Sequence, residues 1–298
     1  MWKKAKKSSE RAAPAAKPTA EYKLVWDKYE LAASVLTDVG CQREVNEDCG
    51  RYVHPGETRL AEKGVLLLVA DGVGGNAAGE VASRTAADVI SRVYYDHEGD
   101  MQSSLVAAFR EANREIQQAA QEQPALAGMG TTCSALAVKD GAAVSANVGD
   151  SRLYLVRDNE IYLMTEDDSV VGNMVKHGLI TREQARVHPD KNVIINALGG
   201  AAEISVATWD APLPIRLGDR FVVCSDGLSD LVEDKEIKNF AANPAPLDAA
   251  CQHLVALAKE RGGHDNITVG ILGVLPAEKE AARPPVDTRV TRELEHER

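Results

Sequence analysis

Apolar residues fall into two patterns along this chain. Short runs rich in Val, Ile and Leu, bounded by Gly, Asp, Asn or Pro, predict strands at Ala32–Thr37, Cys49–Val53, Val65–Ala70, Thr131–Val138, Ala142–Val148, Arg152–Val156, Ile204–Trp209, Arg220–Cys224 and Asn266–Val274. Helical spacing takes over between the third and fourth runs. Ala78, Val81, Ala82, Thr85, Val89, Ile90 and Val93 share one helix face, and Leu105, Phe109, Ala112 and Ile116 share another. A further helix over Leu247–Arg261 turns Cys251, Leu254 and Ala258 inward and stops at Gly262-Gly263. Runs of strands separated by helix pairs predict an α+β fold with helix-covered sheets. Leu163–Gly200 breaks the pattern: it is polar, helical only over Val170–His177 and Thr181–Val187, and interrupted by Gly172, Gly178, Pro189 and Gly199-Gly200. An insertion of this kind beside strands caps or gates a site.

Two of the predicted strands end in the same dipeptide. Val65–Ala70 runs into Asp71-Gly72, and Phe221–Ser225 runs into Asp226-Gly227. His264-Asp265-Asn266 has the opposite order, with Asp265 leading into its strand. If that strand runs antiparallel to the other two, three aspartates from remote parts of the chain meet at one sheet rim. Carboxylates so placed repel one another, and a cation is the expected resolution.

Composition places the chain among ordinary globular proteins, with 44% apolar, 27% charged and 4% aromatic residues, so aliphatic strands and Ala-rich helices must supply the packing. The net charge of −11 argues against a nucleic-acid surface. Residues 1–30 hold Lys3, Lys4, Lys6, Lys7, Arg11 and Lys17 with Ala, Pro and Ser, and are expected to be a disordered basic arm. Residues 31–275 form the expected domain, with a charged tail at 276–298. Cys41, Cys49, Cys133, Cys224 and Cys251 show no CxxC spacing and read as small buried hydrophobes in a reducing cytoplasm. No secretory signal is visible, and no apolar run approaches the roughly 20 residues of a membrane span.

Four segments carry candidate chemistry. Gly72-Val73-Gly74-Gly75-Asn76-Ala77 matches a dinucleotide fingerprint in form. Asp71 would set a negative charge beside the pyrophosphate, however, and the following helix leads into a second helix rather than a strand. Asp38–Asp48 puts Arg43 and the Glu47-Asp48 pair in one loop. They could pair on a solvated hairpin, or the guanidinium could grip phosphate while the acids hold metal or metal-bound water. Asn147–Arg152 is a strand, a tight turn and a strand, in which Asp150 is a turn former or a ligand. Gly130-Thr131-Thr132 alone reads as a turn.

In this order the segments resemble the metal-dependent PP2C-type (PPM) serine/threonine protein phosphatases in their compact bacterial form. The resemblance runs from Ala32 to Val274 and rests on DxGxxRxxNED at Asp38–Asp48, DGVGG at Asp71–Gly75, GTT at Gly130–Thr132, VGDSR at Val148–Arg152, SDG at Ser225–Gly227 and DNITV at Asp265–Val269. It implies a β-sandwich of two antiparallel sheets flanked by helix pairs, with two Mn²⁺ or Mg²⁺ ions at one rim. Asp71 would bridge both ions and Gly72 would offer its carbonyl to one. Asp226 and Asp265 would complete the other, and Glu47 and Asp48 would coordinate directly or through water. Asp150 with Asp226 would hold a weaker third ion, Arg43 would clamp the substrate phosphate, and Leu163–Gly200 would be the flap.

The implied reaction is hydrolysis of phosphoserine and phosphothreonine in proteins by a metal-activated bridging water, without a phosphoenzyme. The expected setting is a cytoplasmic monomer opposing a protein kinase. A catalytically silent regulatory or binding module on the same fold is the alternative. Oxygen ligands suit Mg²⁺ or Mn²⁺ rather than zinc.

Three positions depart from the family pattern. Val73 stands where eukaryotic relatives carry the histidine assigned as general acid, which leaves that role unassigned. Asp168 replaces a histidine common in bacterial relatives, and Asn196 a frequent arginine. His54, His97, His177, His188 and His264 show no metal-ligand spacing and read as surface or hydrogen-bonding residues.

Overall fold

A computed structural model describes residues 22–26, 29–74, 77–243 and 246–277. In chain order the elements are strands β1 (Tyr22–Trp26), β2 (Tyr29–Asp38) and β3 (Asp48–Val53), helix α1 (Glu57–Lys63), strand β4 (Val65–Val73), and helices α2 (Ala77–Asp96) and α3 (Met101–Glu122). Strands β5 (Gly130–Thr131), β6 (Cys133–Lys139), β7 (Ala142–Val148), β8 (Arg152–Arg157) and β9 (Glu160–Leu163) follow, then helices α4 (Val170–Lys176) and α5 (Arg182–Arg186). Strands β10 (Ala207–Thr208), β11 (Leu213–Pro214) and β12 (Arg220–Cys224), helices α6 (Asp226–Ser229), α7 (Asp234–Ala241) and α8 (Leu247–Glu260), and strand β13 (Ile267–Pro276) complete the order.

The strands form two antiparallel sheets, one in the order β1-β2-β13-β12-β8-β9 and one in the order β10-β7-β6-β4-β3, with β11 beside β7 and β5 beside β4. They pack face to face through Val35, Leu67, Val69, Leu136, Leu155, Phe221, Val223 and Leu272. Helices cover both outer faces. Along β4 the odd residues Val65, Leu67 and Val69 enter the sandwich, while Leu66, Leu68 and Ala70 meet α2 and α3. Burial on both sides is why this strand reads as an unbroken apolar run. The same alternation in β12 sends Val222 and Cys224 to α8, where Leu254 and Ala258 are fully buried. Backbone N–H of Gly263 donates to the carbonyl of Ala258 at 3.1 Å and closes α8 where the paired glycines predict.

Several sequence expectations are revised. Tyr22–Trp26 lies inside the stretch assigned to the N-terminal arm, yet it pairs with β2 from Tyr22↔Ala33 to Trp26↔Tyr29. The rest of the arm, residues 1–21, and the tail from Glu278 lie outside the described residues, as do Gly75 and Asn76 of the glycine run. The strand expected over Ile204–Trp209 shrinks to β10, and Thr131–Val138 divides at Thr132, whose N–H donates to the Asp71 carbonyl at 2.9 Å. Cys41 is exposed, not buried, because it sits in the loop after β2. Among the described residues, no helix is long and apolar enough to cross a membrane.

Candidate metal centre

One rim of the sandwich collects the ends of seven strands. There β3 begins at Asp48 directly opposite Asp71 near the end of β4. In the other sheet β13 begins at Ile267, opposite Asp38 of β2, and Val269 pairs with Cys224 at the end of β12. Asp226 follows β12, Asp265 precedes β13, and Asp150 sits in the turn from β7 to β8. The three aspartates therefore meet as expected, although from two sheets: β13 is antiparallel to β12, while β4 belongs to the facing sheet.

The backbone around these acids is tightly fitted. A Cβ at Gly72 would lie 2.2 Å from the Gly79 carbonyl oxygen and 2.6 Å from that of Glu47, so only glycine can follow Asp71 here. Gly149 has φ +96°, a left-handed turn that swings Asp150 into the rim. Thr131 Oγ1 donates to the Asp71 carbonyl at 2.7 Å, and the Asp71 N–H donates to Thr132 Oγ1 at 3.2 Å. Thr132 Oγ1 in turn shares a 2.7 Å hydrogen bond with Ser151 Oγ. These buried hydroxyls tie the Asp71 strand end to the turn that carries Asp150.

Burial and crowding dominate the electrostatics. Asp71 is held well above the ordinary carboxylate range, first by burial and then by Asp48, Asp226, Asp150 and Asp265. Asp150 is raised for the same first reason, with Asp226 and Asp167 adding to it. Burial pushes Asp48 up to about 7 against hydrogen bonds that favour its charged form, and Asp226 up to about 6 with help from Asp230 and Asp265. Glu47 is raised by burial, which Arg43 opposes. The Asp71 and Asp226 carboxyls repel each other within this buried group, an arrangement that a proton or a cation relieves.

Donor chemistry fits a hard divalent ion. Buried Oδ1 atoms of Asp48 and Asp226 have no hydrogen-bond partner, and the converging groups are carboxylates. Among the described residues, no three acidic, His or Cys side chains already stand as a preformed cage. Side-chain cations hold the rim instead. Arg43 Nη2 donates to Asp265 Oδ2 at 2.9 Å, with Arg43 Nη1 at 4.0 Å from Glu47 Oε2. On the far side, Lys191 pairs with Asp230.

The structure thus brings Glu47, Asp48, Asp71, Gly72, Asp150, Asp226, Asp265 and Arg43 to one rim. Val73 pairs with Gly130 across β4 and β5, beside the site. The two flap departures meet each other: Asn196 Nδ2 donates to Asp168 Oδ2 at 2.7 Å, and Asp168 also accepts from the Gly149 N–H at 3.1 Å.

Sequence reading passed over Ser225, whose Oγ donates to Asp48 Oδ2 at 2.8 Å and accepts from the Thr268 N–H at 3.0 Å. It also passed over the side chain of Asn266. Asn266 Oδ1 accepts from the Glu47 N–H, and its Nδ2 donates to the carbonyls of Val39 and Val45. Both residues lie within quoted motifs, next to the aspartates that drew attention.

Comparisons with known proteins show the family. The Protein phosphatase 2C family model matches residues 45–261. The chain is similar to protein phosphatase PhpP of Streptococcus pneumoniae, with 34% identity over 248 residues covering 82% of this chain and 98% of PhpP. It is 38% identical over 247 residues to the serine/threonine protein phosphatase PstP of Mycobacterium tuberculosis, covering 82% of this chain and 45% of that protein. A solved structure of the PstP catalytic domain in complex with two manganese ions superposes with a TM-score of 0.71 at 36% identity, covering 83% of this chain and 99% of that one. The chain belongs to the protein phosphatase 2C family.

Proposed function

We propose that this protein is a metal-dependent phosphatase acting on phosphoserine and phosphothreonine in proteins, and that it opposes a serine/threonine kinase. One observation carries the reading: five aspartates from remote segments, Asp48, Asp71, Asp150, Asp226 and Asp265, are concentrated on one rim at a density that bare carboxylates do not tolerate. Asp71, the Gly72 carbonyl, Asp226 and Asp265 would hold two ions, and Glu47 and Asp48 would act directly or through water. Asp150 with Asp226 would hold a weaker third ion. Bound Mn²⁺ or Mg²⁺ would supply an activated water and neutralise charge on the phosphoryl oxygens.

The chain's own groups have distinct tasks. Arg43 is exposed enough to leave Asp265 and present its guanidinium fork to a substrate phosphate. Ser225 orients Asp48 by its hydrogen bond. The Thr131, Thr132 and Ser151 hydroxyls fix the strand end that carries Asp71. Val73 can transfer no proton, which leaves the general acid unassigned, and water is the candidate proton donor to the leaving alkoxide.

Hydrolysis of a phosphothreonine peptide should require Mn²⁺ and stop in Asp226→Ala and Asp71→Ala. Turnover that persists in EDTA rejects the reading. Tight Mn²⁺ binding without turnover of any phosphate ester favours a silent module.

A further inference from the structure

Between the flap and α6–α7 lies a cavity of about 610 Å³. Asp150 and Asp226 line it, together with Asp230, Lys191, Arg186 and Asp234. The backbone N–H of Asp230, the residue that caps the end of α6, donates to the Asp226 carbonyl at 2.8 Å, so the two aspartates lie one helical turn apart on one side of the turn. Lys191 reaches into this pair from the flap. Its ammonium forms a hydrogen-bonded ion pair with Asp230 Oδ2, and its charge also acts on Asp226. Lysine and aspartate are each about a quarter exposed, at 27% and 21%, so the pair is less screened than a surface bridge.

We propose that Lys191 is a tethered counter-charge for the outer acids of the site, and that the flap which carries it competes with the exchangeable third divalent ion for Asp226 and its neighbour Asp230. This rests on the phosphatase reading only in placing an ion at Asp150 and Asp226. With the flap down, the ammonium pairs with Asp230 and offsets part of the charge of Asp226. When a divalent ion takes Asp226, the two cations repel across the same carboxylates and Lys191 is released. Linkage makes the effect reciprocal: whatever holds the flap down weakens the outer ion, and the outer ion loosens the flap by the same factor.

Arg186 provides the internal comparison. It is a second ion pair from flap to α7, with Nη2 donating to Asp234 Oδ1 at 3.2 Å. Asp234 is also engaged by Tyr154 and is not among the acids assigned to metal. Loss of Arg186 therefore loosens the flap without removing charge from Asp226.

The test is a Mn²⁺ titration of the full chain by calorimetry, paired with limited proteolysis of residues 177–193 at each Mn²⁺ concentration. Lys191→Met should tighten the weak Mn²⁺ site at least fivefold and leave the tight sites within twofold, while Lys191→Arg keeps wild-type behaviour. In the wild type, flap cleavage should accelerate over the concentration range that fills the weak site. In Asp150→Asn it should stay slow.

A weak site unchanged or weakened in Lys191→Met overturns the proposal, as does an equal gain in Arg186→Gln, which would reduce the effect to flap loosening. Neither readout uses a phosphate ester. The predicted metal shifts in a protein with no hydrolytic activity would reject the phosphatase reading and keep the counter-charge. Unchanged metal binding in an active enzyme would do the reverse.

Discussion

Asp48 and Asp71 are cross-strand partners, facing each other in the antiparallel register of β3 and β4, with Asp48 buried and Asp71 half-buried. Like charges directly opposite in a ladder destabilise it, and burial enlarges the effect. The strand pair is therefore built against its own stability unless a cation or a proton intervenes. Asp71→Asn should accordingly act with opposite signs on two measurements. In EDTA it should stabilise the protein by about 1–2 kcal/mol, visible as a rise of several degrees in Tm. In Mn²⁺ it should lose the metal-dependent gain in Tm together with activity. Equal destabilisation in both conditions would mean that Asp71 is a packing residue.

The same crowding sets the pH dependence. Asp48 and Asp226, raised to about 7 and about 6 in the folded metal-free protein, return to the ordinary carboxylate range on unfolding. Between about pH 4 and 7 the folded state therefore binds more protons than the unfolded state, and stability falls as pH rises through that window. Divalent ions reverse the sign, because they bind deprotonated ligands and release protons. The gap between Tm in Mn²⁺ and Tm in EDTA should widen from pH 5 to pH 8. A gap independent of pH would show that these carboxyls are already ionised without metal.

Ser225 offers a separate test of how the first strand-end acid is oriented. Its buried hydroxyl both donates to Asp48 and accepts from Thr268 N–H, so Ser225→Ala leaves two buried groups without partners. A loss of about 1–3 kcal/mol in denaturant unfolding follows, with weaker Mn²⁺ binding. Ser225→Thr, which restores the hydroxyl, should recover metal affinity more fully than stability, since its extra methyl must fit a closed site. Metal affinity unmoved by Ser225→Ala would free Asp48 from any need for this bond.

How much of this could be read beforehand depended on where the signal lay. Strand β4 was legible because both its faces are buried, which removes polar interruptions from Val65–Ala70. The Asp-Gly ends were legible because a close backbone approach forces the glycine: a Cβ at Gly227 would lie 1.9 Å from the Asn266 carbonyl oxygen. Helix α7 was not, since Asp234–Ala241 is only two turns long and its apolar face is limited to Ile237, Phe240 and Ala241. Strand β9 alternates exposed and half-buried residues at a sheet edge, where little apolar patterning is required. The expected flap helices, Val170–His177 and Thr181–Val187, agree with α4 and α5 to within a residue, and the observed caps are Ser169 and Thr181, whose hydroxyls accept from Gly172 and Gln184 N–H groups. What no local pattern could reveal is the pairing of Lys191 with Asp230 or of Asn196 with Asp168, because each joins segments brought together only by the tertiary fold.

Arg43 is the side chain for which the proposed metal ligand Asp265 and the proposed substrate phosphate would compete. Its guanidinium is about half exposed yet bound to Asp265, a proposed metal ligand. Filling the site with a divalent ion removes the reason for that ion pair and frees the fork for an incoming phosphate. Arg43→Ala should therefore raise KM for a phosphothreonine peptide and lower kcat/KM by about 10–100-fold, the range of a lost charge-assisted contact of roughly 1.5–3 kcal/mol. Arg43→Lys should fall between, since an ammonium keeps the charge but not the two parallel donors. Mn²⁺ affinity separates this role from a structural one. Removing the guanidinium from Asp265 should leave metal binding intact or modestly tighter, while peptide binding suffers. If Arg43→Ala instead abolishes Mn²⁺ binding and leaves KM of the remaining activity unchanged, the arginine is a scaffold for the acidic rim and the substrate phosphate is held elsewhere.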